Sequence, residues 1–151
     1  MGAGAAVQTV IAQTGAVATT TTVMPFDDTI PQITEGAEFL TRTITPTSAT
    51  SKLLVQVVLN GSCSTTSYIT VGLFRDSTAG ALAAASKYGV NGSYEQVVLS
   101  CLVDAGSTAA TTFRVRAGQH TAGTLTVNGD GGARRLGGAM ATTMTVTEIL
   151  A

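Results

Sequence analysis

The nine residues Lys52–Asn60 constrain this chain more than any other stretch. Leu53, Val55, Val57 and Leu59 fall on one side of an extended backbone, and Leu54, Gln56 and Val58 on the other. A period of two over this length predicts a strand with one wholly apolar face, and Asn60-Gly61 follows as a turn signal. Tyr68–Arg75 repeats the pattern, with Ile69, Val71 and Leu73 against Tyr68, Thr70, Gly72 and Phe74. Gly72 in that run predicts a bulge or the close approach of another backbone.

The rest of the chain speaks the same language. Thr and Val, stiff at χ1 and suited to a pleated surface, are abundant, and glycines punctuate the chain. Strands are expected over Val7–Gln13, Val17–Met24, Phe39–Thr45, Tyr94–Val103, Thr111–Arg116, Gly123–Asn128 and Met140–Leu150. Ala79–Lys87 reads as a short strand of small residues, because Gly80 weakens a helix there. Pro25-Phe26-Asp27-Asp28-Thr29-Ile30-Pro31-Gln32 reads as an ordered turn, and Asn128-Gly129-Asp130-Gly131-Gly132 as a turn-rich loop. About ten short strands at intervals of about 8–12 residues predict an all-β jelly-roll β-sandwich. The expected organisation is an extended N-terminal arm over residues 1–16 and a jelly-roll domain over 17–151. An arm of Gly, Ala and Thr is ordered only when something ties it down, and a neighbouring subunit or a shell is expected to do so.

Charge narrows the function. Only 11% of residues are charged, against a usual share of about 25%. The surface must therefore be built from Thr, Ser, Gly, Asn and Ala, which suits close contact with other protein surfaces. A net charge of -1 leaves no electrostatic footprint for nucleic acid or an anionic membrane. Met1–Ala18 lacks Lys or Arg near its start and is interrupted by Gln8, Thr9, Gln13 and Thr14, so no signal peptide is expected. No apolar run reaches the length of a membrane helix.

Groups that could carry chemistry are few. Cys63 and Cys101 read as buried reduced thiols, with a single bridge between them left open. His120 is the only histidine and has no nucleophile motif beside it. No cofactor and no metal site is expected. Asp27-Asp28 and Asn128 with Asp130 lack the spacing of a calcium loop and read as turn-capping groups. Trp is absent, and nothing in the sequence clusters Tyr68, Tyr88 and Tyr94, so no sugar platform is expected. The stretch Gly129–Gly138 carries Arg134 and Arg135 among glycines. It reads either as a contact loop whose arginines clamp a neighbour's carboxylates or as a plain solvated loop. Arg114 and Arg116 share one face of a strand whose other face holds Phe113 and Val115. Arg114, Arg116, Arg134, Arg135, Asp27 and Asp28 are the candidate interface residues.

A resemblance adds to this. Met24-Pro25-Phe26-Asp27-Asp28-Thr29-Ile30-Pro31-Gln32, then Glu35-Gly36, then Ile44-Thr45-Pro46-Thr47-Ser48-Ala49-Thr50-Ser51-Lys52-Leu53-Leu54-Val55 resembles a domain that recurs in bacteriophage virion proteins. So do Leu73-Phe74-Arg75-Asp76-Ser77, Thr112-Phe113-Arg114-Val115-Arg116 and Met144-Thr145-Val146-Thr147-Glu148-Ile149, and the resemblance spans residues 17–150. Such domains are similar to the tumour-necrosis-factor/C1q type of jelly roll. The resemblance implies a homotrimer with no catalytic residues, carried by the virion and assembled in the host bacterial cytoplasm. Its partners would be copies of itself and the major capsid protein or another virion protein. The leading expectation is a capsid decoration or cement protein. The alternative is a tail-fibre tip, in which loops such as Asn91-Gly92-Ser93 or Ser62–Ser67 would touch a host glycan or protein. An enzyme would need paired carboxylates in a cleft, which the sequence does not signal.

Overall fold

The computed structural model describes residues 2–151. Its strands are β1 (Ala6–Thr14), β2 (Ala18–Thr20), β3 (Ala37–Ile44), β4 (Lys52–Cys63), β5 (Ser67–Arg75), β6 (Ala83–Gly89), β7 (Glu95–Asp104), β8 (Thr111–Gln119), β9 (Leu125–Val127), β10 (Gly129–Asp130), β11 (Ala133–Arg134) and β12 (Thr142–Ile149). They form two main antiparallel sheets. In the first, the order is β1-β12-β4-β7, and β9 and β2 extend it beyond the far end of β4. In the second, the order is β3-β8-β5-β6.

The core lies between these sheets. Leu53, Val55, Val57 and Leu59 of β4 face Ile69, Val71 and Leu73 of β5, and all are fully buried. Phe113 and Val115 of β8, with Met144 and Val146 of β12, complete the apolar layer. Both alternating runs therefore direct inward the residues that the sequence assigns to the core. Each such side chain contributes roughly 1.5–3 kcal/mol on burial.

The N-terminal segment belongs to the first sheet. Thr9, Ile11 and Gln13 of β1 lie opposite Thr147, Thr145 and Thr143 of β12, so the expected arm is tied down by its own chain. Gln8 Nε2 reinforces the pairing by donating to Glu148 Oε2 at 2.6 Å. The end of β12 closes against the start of the chain, with Gly4 N donating to Leu150 O and Leu150 N to Ala5 O. The two chain ends thus meet at one pole, and the β4–β5 loop, Ser64–Thr66, lies at the other.

Val17–Met24 forms a shorter strand than its composition suggests. After Thr20 the chain leaves the sheet and crosses the outer face of the second sheet as a strap, residues 21–36. Met24 N donates to Gln119 O, and Gly36 N to Val23 O. Met24 on the strap and Phe74 on the outer side of β5 are fully buried. Gly118 lies under it, where a Cβ would strike the Thr22 carbonyl and the Met24 amide. The expected bulge at Gly72 is absent. Its pairing with Arg116 and Ala84 runs in register, and the space a Cβ would need is filled by the Phe74 ring, not by another backbone.

The Asn128–Gly132 loop contains a small hairpin, β10–β11. Gly131 and Gly132 turn it with φ of 57° and 78°, the positive values a tight two-residue hairpin requires. Asn128 anchors its base. It is fully buried, donates through Nδ2 to Thr14 O and Ala16 O, and accepts from Thr142 Oγ1.

Candidate functional site

The outer face of the first sheet is the least expected surface of the molecule. Its side chains form three rows in register across four strands. Thr9, Thr147, Leu54 and Leu102 make one row, Ile11, Thr145, Gln56 and Ser100 the next, and Gln13, Thr143, Val58 and Val98 the third. None of these positions carries a charge. Val98, Leu102 and Ile11 are 60%, 59% and 54% exposed. The nearest ions, the Lys52–Asp104 pair, sit at the end of the sheet beside the chain termini. Single exposed apolar side chains need no explanation, but a continuous uncharged field over four strands resembles the core of a protein interface.

The arginines occupy other places. Arg114 and Arg116 do share the outer face of β8, opposite the buried Phe113 and Val115. Their guanidinium groups are engaged within the chain. Arg114 pairs with Glu38 at 3.1 Å and donates to Asp76 O, while Arg116 donates to Glu35 O and Gly36 O at 2.9 and 3.0 Å. They fasten the strap and β3 to β8. Arg135 lies near Asp130 at 3.7 Å and donates to Tyr94 Oη at 3.0 Å, so it braces the Gly-rich hairpin. Arg134 donates no side-chain hydrogen bond among the described residues, and its side chain lies by Gly138. No arginine of the six contacts Asp27 or Asp28 among the described residues.

Asp27 caps its own turn. Its Oδ1 accepts from the Thr29 hydroxyl and the Thr29 N–H, and these two bonds, in that order, hold the carboxyl below its ordinary value. Asp28, beside it, has no partner among the described residues. Phe26 and Tyr68 stack with ring centroids 4.0 Å apart, Tyr88 meets Tyr68 edge-on at 5.1 Å, and the Phe26 N–H donates to His120 Nδ1 at 2.9 Å. Two of the three tyrosines are thus clustered by the β5–β6 register, which pairs Tyr68 with Tyr88, and the strap adds Phe26 from far along the chain.

The buried groups are structural in character. Burial raises the Glu148 carboxyl, but the Gln8 amide and the Thr47 N–H and hydroxyl outweigh it and hold the value at about 2. The Ser51 hydroxyl also lowers it, although its geometry falls short of a hydrogen bond. Cys63 and Cys101 are both free. Cys63 sits opposite Leu125 and Cys101 opposite Val55, eight residues apart along β4 and so roughly 25 Å apart, too far for a bridge. Burial first, then the field of Glu95, pushes the Cys63 thiol up to about 11, so it stays protonated and unreactive. No group of three or more His, Cys, Asp or Glu side chains comes together among the described residues.

No family model matches the sequence, and no curated protein matches it. Solved structures do. The Eiger TNF from S. frugiperda superposes with a TM-score of 0.54 at 14% identity, covering 95% of this chain and 94% of that one. An identity this low speaks to the backbone alone. What the likeness establishes is that this chain folds as a jelly roll of the tumour-necrosis-factor type.

Proposed function

We propose that the protein is a non-enzymatic structural component of a bacteriophage virion, a homotrimer that decorates the outside of the capsid and bridges shell subunits. The observation that carries the self-assembly is the uncharged three-row face of β1, β12, β4 and β7. Burying it between copies removes Val98, Leu102 and Ile11 from water at no cost in desolvated charge. A closed symmetric assembly is the usual way for identical chains to use such a patch. The number three is inferred from the TNF/C1q resemblance. Virion location follows from the phage-like motifs, and a role in contact, not catalysis, suits a chain whose one histidine spends Nδ1 on a backbone amide.

Native mass spectrometry of the purified protein and a count of copies per particle test this together. A trimer present at on the order of hundreds of copies fits decoration, given that a shell repeats one contact many times. A monomer, or a handful of copies, overturns it.

A tail-fibre tip is the second reading, and one observation favours it. The loops Ser64–Thr66 and Asn91–Ser93 join into one surface, with Gly92 N donating to Cys63 O and Asn91 N to Thr66 Oγ1. That surface lies at the pole away from the chain ends, where a fibre would meet its target. Cell-coating by purified protein that blocks infection would move the assignment there.

A further inference from the structure

Between the strap and β6 runs a groove whose chemistry goes beyond assembly. Its narrow part has a volume of about 180 Å³ and is walled by Phe26, Asp27 and Thr29, with Thr70, Ala85 and Ser86 as its floor. It continues into a wider cleft of about 400 Å³ along Asp27–Pro31 and Ala81–Ala84. At its head stands Phe26, 49% exposed and stacked on Tyr68, and Tyr88, 53% exposed, meets Tyr68 edge-on at the next same-face cross-strand pair beyond the floor residues Thr70 and Ser86. We propose that this groove binds a neutral glycan, with one sugar ring lying on the aromatic head and its hydroxyls reaching the strap carboxylates.

Three observations select that ligand. The first is the set of free polar atoms. Asp27 Oδ1 is spent on Thr29, but Asp27 Oδ2 and both Asp28 oxygens accept nothing among the described residues. The groove therefore offers acceptors and favours a ligand rich in donors. Sugar hydroxyls in adjacent pairs are such donors, and an X–H bond to a carboxylate is about twice as strong as a neutral one. A proline-rich peptide, the other common guest of an aromatic groove, supplies carbonyl acceptors and few N–H donors.

The second is ring geometry. A cage for an ammonium group turns several ring faces toward one point. Here Phe26 and Tyr68 turn their faces to each other at an interplanar angle of 19°, which leaves a flat outer face suited to the C–H face of a pyranose. The third is charge. Neither Lys nor Arg lines the groove, and two aspartates do, so sialylated, uronic or phosphorylated sugars are repelled. The platform is also preorganised, since His120 holds the Phe26 backbone and Pro25 and Pro31 bracket the Phe26–Ile30 stretch of the strap. Ligand ordering then adds little to the cost of binding.

The test is a titration of the intact chain, in its assembled form, with maltotriose and with the trimer of N-acetylglucosamine, followed by amide chemical shifts. Saturable shifts at Phe26–Asp28, Tyr88 and His120, with a dissociation constant of roughly 1 mM, are expected for a small ligand on one such platform. Tyr88→Ala should weaken binding about tenfold, as removal of one ring face does. Asp28→Asn, a change at an exposed side chain that leaves the fold untouched, should weaken it several-fold. Tyr94→Phe, remote from the groove, should leave it unchanged. The proposal is overturned if neither saccharide moves these resonances, if binding survives both Tyr88→Ala and Asp28→Asn, or if a polyproline or oligolysine peptide occupies the groove instead. Copies per particle and oligomeric mass are read separately, so failure here does not bear on the assembly reading.

Discussion

The outward rows of β1, β12, β4 and β7 lie open to solvent, whereas those of β8 and β5 lie partly under a strap of their own chain. The two faces use the chain's small stock of charge in opposite ways. The strapped face takes Arg114, Arg116, Glu35 and Glu38: Arg114 pairs with Glu38, Arg116 donates to strap carbonyls, and the Glu35 carboxylate accepts from the Gln32 N–H. The open face keeps its one ion pair, Lys52–Asp104, to the row beside the chain termini and has none in its three central rows. A sheet that covers itself can afford ions, because they are satisfied within the fold. A sheet that waits for a partner avoids them, because each would have to be desolvated on contact. Under the proposed assembly, the contrast explains how so uncharged a chain assembles specifically.

The sharpest way to break the contrast is to put charge on the open face. Val98→Glu with Leu102→Glu should dissociate the assembly while leaving the monomer folded, since both side chains point away from the core. Each unpaired carboxylate buried between subunits costs about 3 kcal/mol or more, on the order of a hundredfold in dissociation constant. Sedimentation velocity with circular dichroism reads both outcomes, and a mutant that still sediments as a trimer removes the face from the interface.

The strapped face should fail differently. Met24→Ala leaves a cavity under the crossing and should destabilise the fold by about 2–5 kcal/mol in urea melts, with no change in the oligomeric state of the folded fraction. Had the strap been ornamental, the loss would be a few tenths.

Glu148 links the faces, because it holds β1 and the Thr47–Ser48 loop to the end of β12. Glu148→Gln should cost about 1–3 kcal/mol at neutral pH, the range for hydrogen bonds to a charged group. The pH dependence has a definite sign. The folded value, about 2, lies below the ordinary 4.5, so the unfolded chain binds this proton more readily. Its stabilisation is whole above about 4.5 and is lost as pH falls from there through about 2. Thermal melts should show that acid-side decline in the parent and a flatter one in Glu148→Gln. The smallest effect belongs to Arg114→Ala. Its half-exposed pair with Glu38 is worth about 0.2–1 kcal/mol, and a larger loss in a double-mutant cycle would mean the strap depends on it more than its exposure suggests.

Much of the fold was legible because it is written in local alternation. Leu53–Leu59 and Ile69–Leu73 go inward as their spacing requires, and Phe113 and Val115 oppose Arg114 and Arg116 as expected. Less was legible where the chain meets itself at a distance. Thr19-Thr20-Thr21-Thr22 has uniform strand character, yet it leaves the sheet midway because Met24 has a covered site on the other side of the molecule. The arginine partners are mostly backbone carbonyls, which leave no mark in a sequence. The open face draws its rows from β1, β4, β7 and β12, so no window along the chain contains one. The largely apolar second sides of Lys52–Asn60, with Leu54 and Val58, and of Val97–Val103, with Val98 and Leu102, were the local hints, since a strand with a solvated face normally alternates.

The pairing of Gly4 with Leu150 and of Leu150 with Ala5 has a practical corollary. Peptides grafted to either end would emerge side by side, on the pole away from both the Ser64–Thr66 loop and the aromatic head of the groove. A short linker joining the two ends would close the chain into a ring without moving a strand, and new ends opened in an exposed loop would give a circular permutant whose cargo faces the opposite way.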